Sequence, residues 1–233
     1  MNSITFGDNN RGGHVGINNG KIYFPAERPE TPAAPLSTVP FRRDPDFVNC
    51  GTLLGQIDEK GSLPGARVAV VGLGGVGKSQ LAIEYSNRVQ ERSPEPWVFW
   101  IHAGNAVRFE QSCREIADRV KIPGRRNPQT NIFKLLCDWL HDARRKWMLI
   151  LDNLDDDQFL REQNCLENDI GPIWAYFSSL SGLILVTSRS RRTASSIVED
   201  GDIVTVEPWI RIMPPYFLRR SLDRKQTSKI TSN

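Results

Sequence analysis

Apolar positions recur at helical spacing along 132–143, where Ile132, Leu135, Leu136, Trp139, Leu140 and Ala143 line one face; Phe109, Cys113, Ile116, Ala117 and Val120 do much the same. Each set predicts an amphipathic helix with a buried stripe, so Trp139 and Cys113 are expected in the core and not at a cofactor. Between these helices lie apolar runs of strand length at 67–71, 97–102, 147–151 and 183–187, with a weaker fifth at 203–206. Strand-length runs alternating with helical patterns predict βαβ units on a parallel sheet. His102 ends the second run with no Cys or His at ligand spacing, and reads as structural.

The pattern breaks outside 46–207. Residues 1–24 are rich in Gly and Asn, and 25–45 carry Pro25, Pro29, Pro32, Pro35, Pro40 and Pro45, which reads as an extended linker. Beyond residue 207 the periodicity dissolves into an irregular basic tail, 208–233, with Arg211, Arg219, Arg220, Arg224, Lys225 and Lys229.

The run 67–71 leads directly into Gly72-Leu73-Gly74-Gly75-Val76-Gly77-Lys78-Ser79, a complete G-x-x-x-x-G-K-[ST] loop, and then into the helical pattern starting at Gln80. Strand, glycine loop and helix in that order make a phosphate cradle. The glycines let backbone N–H groups turn inward, and a helix N-terminus offers unpaired donors with a positive dipole end. Gly72, Gly74, Gly75, Val76, Gly77, Lys78 and Ser79 are therefore the expected nucleotide-binding residues. Lys78 would reach the β and γ oxygens, and Ser79 would help hold Mg²⁺. The expected fold class is α/β, a P-loop NTPase parallel sheet with flanking helices. ADP or ATP with Mg²⁺ is the expected cofactor.

Two further strand ends carry chemistry. Leu149-Ile150-Leu151 runs into Asp152, where a Walker B aspartate would hold Mg²⁺; a turn or capping carboxylate is the structural alternative. The next residue is Asn153, where many ATPases place a second acid. An amide can hold the attacking water but cannot accept its proton, so at most slow hydrolysis is expected. The cluster Asp155, Asp156 and Asp157 offers a substitute base or a solvated acidic turn. At the tip of 183–187, Arg189 is the candidate sensor of a γ-phosphate, with a basic surface loop through Arg191 and Arg192 as the alternative.

Composition narrows the partners. With 30 Lys and Arg against 27 Asp and Glu, the net charge is +3, too small to argue for nucleic acid. No apolar run reaches membrane-spanning length, and the N-terminus lacks the pattern of a signal peptide, so a cytoplasmic location without membrane contact is expected. Cys50, Cys113, Cys137 and Cys165 are scattered, which favours reduced thiols.

In order and spacing GLGGVGKSQLA, VFWIHA, WMLILDNLDD and LILVTSRSR resemble the NB-ARC nucleotide-binding domain of NOD-like receptors, a branch of the STAND P-loop switches, especially its fungal members. The segment from Phe47 to Leu54 occupies the place of the family's adenine-side motif, which assigns Phe47 and Val48 to the nucleotide. Cys50 and Gly51 depart from that motif, where a Gly-Arg pair is usual. The resemblance implies an ADP-bound resting state, ATP-driven opening and oligomeric assembly, in signalling of the innate-immunity or heterokaryon-incompatibility kind. The helical and winged-helix segments that usually follow are not visible, so the tail reads as a truncated or frameshifted end, or as that of a short adaptor.

The leader adds a second resemblance. Gly7-Asp8-Asn9-Asn10-Arg11-Gly12 recurs nine residues later as Gly16-Ile17-Asn18-Asn19-Gly20-Lys21, flanked by Ile4, Phe6, Val15, Ile17, Ile22 and Phe24. Stacked Asn side chains form ladders in cross-β assemblies. With the Pro-rich stretch and the nucleotide motifs, this resembles the HET-s and sigma type amyloid signalling motifs, which implies self-assembly and templating of an effector protein. A disordered polar leader is the alternative. The expectation is a nucleotide-dependent signalling switch. A P-loop ATPase with real turnover and a non-switching amyloid adaptor remain the other readings.

Overall fold

The computed structural model describes residues 34–48, 51–142, 146–161, 163–166 and 169–208. The Gly/Asn-rich motif over 1–24, the first part of the expected linker and the tail from residue 209 lie outside them. In chain order the elements are α1 (Gly51–Lys60), β1 (Arg67–Val71), α2 (Lys78–Arg92), β2 (Trp97–His102), α3 (Ala106–Arg119), α4 (Ile132–Leu140) and β3 (Trp147–Asp152). There follow α5 (Gln158–Arg161), β4 (Gln163–Leu166), β5 (Asp169–Pro172), α6 (Ile173–Ser178), β6 (Leu183–Ser188), α7 (Arg191–Ser195) and β7 (Ile203–Thr205). The antiparallel pair β4 and β5 had no signal in the apolar pattern.

The five expected strands form one parallel sheet in the order β2, β3, β6, β1, β7. Both faces are covered, so the central strands read as unbroken apolar runs; every residue of β3 is buried. Alternate side chains feed two cores. Val68, Val70, Val98, Trp100, Met148, Ile150 and Leu185 point into the cluster beneath α1 and α2. Ala69, Val71, Phe99, Ile101, Leu149, Leu151 and Val186 join the cluster beneath α3, α4 and α6. Cys113 is fully buried there, and burial raises its thiol pKa, as it does that of Cys137; Trp139 packs edge-on against Trp97 at 5.1 Å.

Local chemistry fixes where the helices start. Asn105 Oδ1 accepts the Arg108 N–H at 3.0 Å to cap α3, Asn131 Oδ1 accepts from Phe133 and Lys134 to cap α4, and Ser190 Oγ accepts from Thr193 to cap α7. Helix α4 ends at Leu140, short of Ala143, which lies outside the described residues.

The described end of the Pro-rich stretch docks on the sheet edge. Leu36 C=O accepts the Val98 N–H at 3.1 Å, Thr38 N–H donates to Val98 C=O at 2.9 Å, and the Trp100 N–H donates to Thr38 Oγ1 at 2.8 Å. Phe41 then stands edge-on to Trp100. This strap occupies backbone groups that an edge strand would otherwise expose. It ends in a clamp: Arg43 donates to both carboxylate oxygens of Glu84 on α2, at 2.7 and 2.8 Å, and Arg88 adds a third bond.

The Glu84 side chain is only 4% exposed, and the Arg43 guanidinium bonded to it holds its carboxyl below the ordinary 4.5. A depressed folded pKa contributes stability that is present above 4.5 and lost as the pH falls through the lowered value. The clamp should therefore hold at neutral pH and release in acid. Glu84→Gln imitates the protonated state, so trypsin should cut after Arg42 and Arg43 roughly tenfold faster in that variant, the equivalent of one lost charge-assisted bond. Unchanged cleavage would mean that Phe41 and the backbone bonds hold the strap without the clamp.

Candidate functional site

The loop after β1 has the shape that its glycines permit. Gly75 and Gly77 take φ of 80° and 93°, the left-handed region that side chains disfavour. At Gly72 a Cβ would stand 2.4 Å from the Val206 carbonyl oxygen, so the chain passes too close for any side chain. Gly77 begins α2 with no side-chain cap, which leaves the first N–H groups of a 15-residue helix facing the loop. Lys78, 8% exposed, arches back and donates from Nζ to the carbonyls of Gly72 at 2.9 Å and Leu73 at 2.8 Å. Burial lowers its pKa below the ordinary 10.5; nearby Asp155 and Asp152 oppose that and Arg189 adds to it.

The aspartate strand is not the neighbour of the loop strand: β6 lies between β1 and β3. Asp152 meets the loop all the same, because α2 packs over β6 and its first turn brings Ser79 across. Ser79 Oγ donates to Asp152 Oδ1 at 2.7 Å. Thr187, at the end of the intervening strand, donates to the same oxygen at 2.7 Å and accepts the Asn153 N–H at 2.8 Å. Sequence reasoning passed over Thr187; its signal was a polar residue closing a buried apolar run. The donors that converge here, Ser79 and Asp152, are all oxygen, a set that suits a hard cation such as Mg²⁺. They would hold it beside the phosphate cradle, where it would neutralise phosphate charge.

Asn153 takes φ of 64°. Asn tolerates this left-handed conformation better than most residues, a backbone reason for its presence at this turn. Its side chain lies against Gly104, where a Cβ would be 3.3 Å from Nδ2, on the β2 side and away from β1. The group expected to hold an attacking water is thus turned toward the outer strand. Of the acidic cluster, Asp155 belongs to the site. Its carboxylate accepts the Arg189 N–H at 2.6 Å and Arg189 Nε at 2.5 Å. The Arg189 stem lies over the loop, its Cδ 3.7 Å from where a Cβ on Gly74 would stand. Asp157 instead bonds Ser196 and Arg161.

Phe47 and Val48 precede α1. Phe47 is half-buried and packs on the cluster that contains Val76 and Leu81, and Val48 is exposed. This sets Phe47 on the face of the sheet that carries α1 and α2. Cys50 lies outside the described residues.

No family model matches the sequence. The chain is 30% identical over 198 residues to a protein of Hyaloscypha variabilis described as nucleotide-binding leucine-rich repeat (NLR)-like. The match covers 81% of this chain and 20% of that protein, so the chain spans about a fifth of its relative's length. Among solved structures it is similar to Cdc6p from Pyrobaculum aerophilum, at 15% identity and a TM-score of 0.48, over 70% of this chain and 48% of that one. It is also similar to domain III of the Thermotoga maritima replication initiation protein DnaA, at 19% identity and a TM-score of 0.43, over 83% and 78%. The parallel sheet and the glycine loop between β1 and α2 are those of an α/β P-loop NTPase fold. Among the described residues no helix is long and apolar enough to cross a membrane.

Proposed function

We propose that this chain is the nucleotide-binding part of a signalling switch of the NOD-like receptor type, which takes ADP or ATP with Mg²⁺. The observation that carries the reading is the convergence, at the carboxyl ends of the inner strands β1, β6 and β3, of the left-handed glycine loop, the uncapped start of α2, and Asp152 bonded to Ser79 and Thr187. The likeness to an NLR-like protein supports the signalling class. In this reading Gly72 to Ser79 hold the phosphates, Phe47 and Val48 lie toward the adenine, and Arg189 reports the γ-phosphate. The motif over 1–24 supplies self-assembly and templates an effector protein.

Turnover on such a site is slow. Asn153 cannot take a proton and is turned toward Gly104. Purified protein should retain ADP or ATP, and steady-state phosphate release should fall far below the enzyme median of about 10 s⁻¹. Release near that median would favour a metabolic ATPase. A peptide of residues 1–24 should form fibrils with a strand repeat of about 4.7 Å, and one that stays soluble when seeded would remove the templating role.

A further inference from the structure

The pairing of Asp155 with Arg189 sits against the glycine loop. The Arg189 stem crosses Gly74, and its guanidinium is bonded by a carboxylate on the turn after β3. A γ-phosphate is the other anion that a guanidinium in this place would meet, since the loop and Lys78 locate the phosphate chain beneath it. Two anions then contend for one cation.

We propose that Asp155 sets the preference of this site between nucleoside triphosphate and diphosphate, because its carboxylate and a γ-phosphate compete for the Arg189 guanidinium. The inference rests on the nucleotide-binding reading above. A diphosphate leaves the pair intact. A triphosphate must displace Asp155 from Arg189 and gains only the difference between the two bonds.

The exchange is cheap in structural terms. The Arg189 side chain is 58% exposed and that of Asp155 21%, and ion pairs of this exposure contribute little to stability. The Asp155 backbone is held independently of its carboxylate: its N–H donates to Asn153 C=O at 3.0 Å and its own C=O accepts Thr193 Oγ1 at 3.0 Å. The neighbouring Leu154 N–H donates to Thr187 C=O at 2.8 Å. The side chain can therefore let go of Arg189 while the turn stays in place.

The test is a cycle of variants on the full chain, with ATP and ADP affinities measured by calorimetry in Mg²⁺. Asp155→Asn keeps an oxygen for the Arg189 N–H and removes the charge facing Nε. In the intact protein the preference for ATP should be small, because Asp155 offsets part of what Arg189 offers a γ-phosphate. Asp155→Asn should shift the ratio toward ATP by about three- to fivefold. In an Arg189→Ala background the same substitution should shift it less than about twofold. An equal shift with and without Arg189 would show that Asp155 merely repels the γ-phosphate and would overturn the proposal. So would an unchanged ratio in Asp155→Asn while both nucleotides bind. Failure of the unaltered protein to bind either nucleotide would overturn the nucleotide reading itself, and the proposal with it.

Discussion

Replacing Lys78 by alanine is expected to reduce ADP and ATP affinity by at least about 100-fold while leaving the fold intact. The ammonium already arches over the loop, 2.9 and 2.8 Å from the Gly72 and Leu73 carbonyls, with its stem buried, so it is poised where phosphate oxygens would lie. Charge-assisted hydrogen bonds contribute roughly 1.5–3 kcal/mol each, and two of them correspond to about two orders of magnitude or more in affinity. The cost to folding is small by comparison. The released carbonyls are at the mouth of the loop and can turn to water, and the buried charge that burial disfavours is gone. A change within about 1 kcal/mol, or roughly 2–4 °C in melting temperature, is expected. Calorimetry with each nucleotide checks the affinity and a thermal melt checks the fold. Undiminished ADP affinity would remove the loop from the binding site.

Much of this site was legible because its chemistry is written in residue types that the backbone demands. Gly75 and Gly77 occupy left-handed positions, and the strand and helix on either side follow from the apolar pattern. Asp152 was legible as an acid closing a buried run. The spatial order of the strands was not, because nothing in a run of Leu, Ile and Val states which neighbour it pairs with. Hence β6 inserts between β1 and β3, and it is this insertion that brings Thr187 to Asp152 and Arg189 over the loop. Asn153 has a backbone side that its chemistry does not state. Its identity suits a left-handed turn as well as a site without a base.

The strap shows another limit. Pro-rich composition implies extended backbone, but docking through the C=O of Leu36 and the N–H of Thr38 uses groups that every residue carries. Only Phe41 and Arg43 could have betrayed it, as an apolar residue and a cation where a spacer needs neither. A fragment beginning near residue 42 would therefore strip the β2 edge, and would not be a neutral trimming of the domain.

Thr187→Val should be the most damaging of the conservative substitutions at the site. The threonine is 1% exposed and its hydroxyl serves two partners, donating to Asp152 Oδ1 and accepting from the Asn153 N–H. Valine keeps the shape and removes both bonds, leaving a largely buried carboxylate with one donor fewer and a backbone N–H without its acceptor. At about 1–2 kcal/mol for each group so deprived, the loss is roughly 2–4 kcal/mol. For a domain of this size that is roughly 5–15 °C in melting temperature, out of a total stability of about 5–15 kcal/mol. Thr187→Ser makes the opposite exchange. It keeps the hydroxyl and gives up one methyl group, at about 1 kcal/mol. Melting both variants without nucleotide separates the two contributions: serine should be clearly the milder. If valine proves the better tolerated, packing and not the hydroxyl holds the end of β6. Asp152 would then owe its position to Ser79 and the β3 backbone alone.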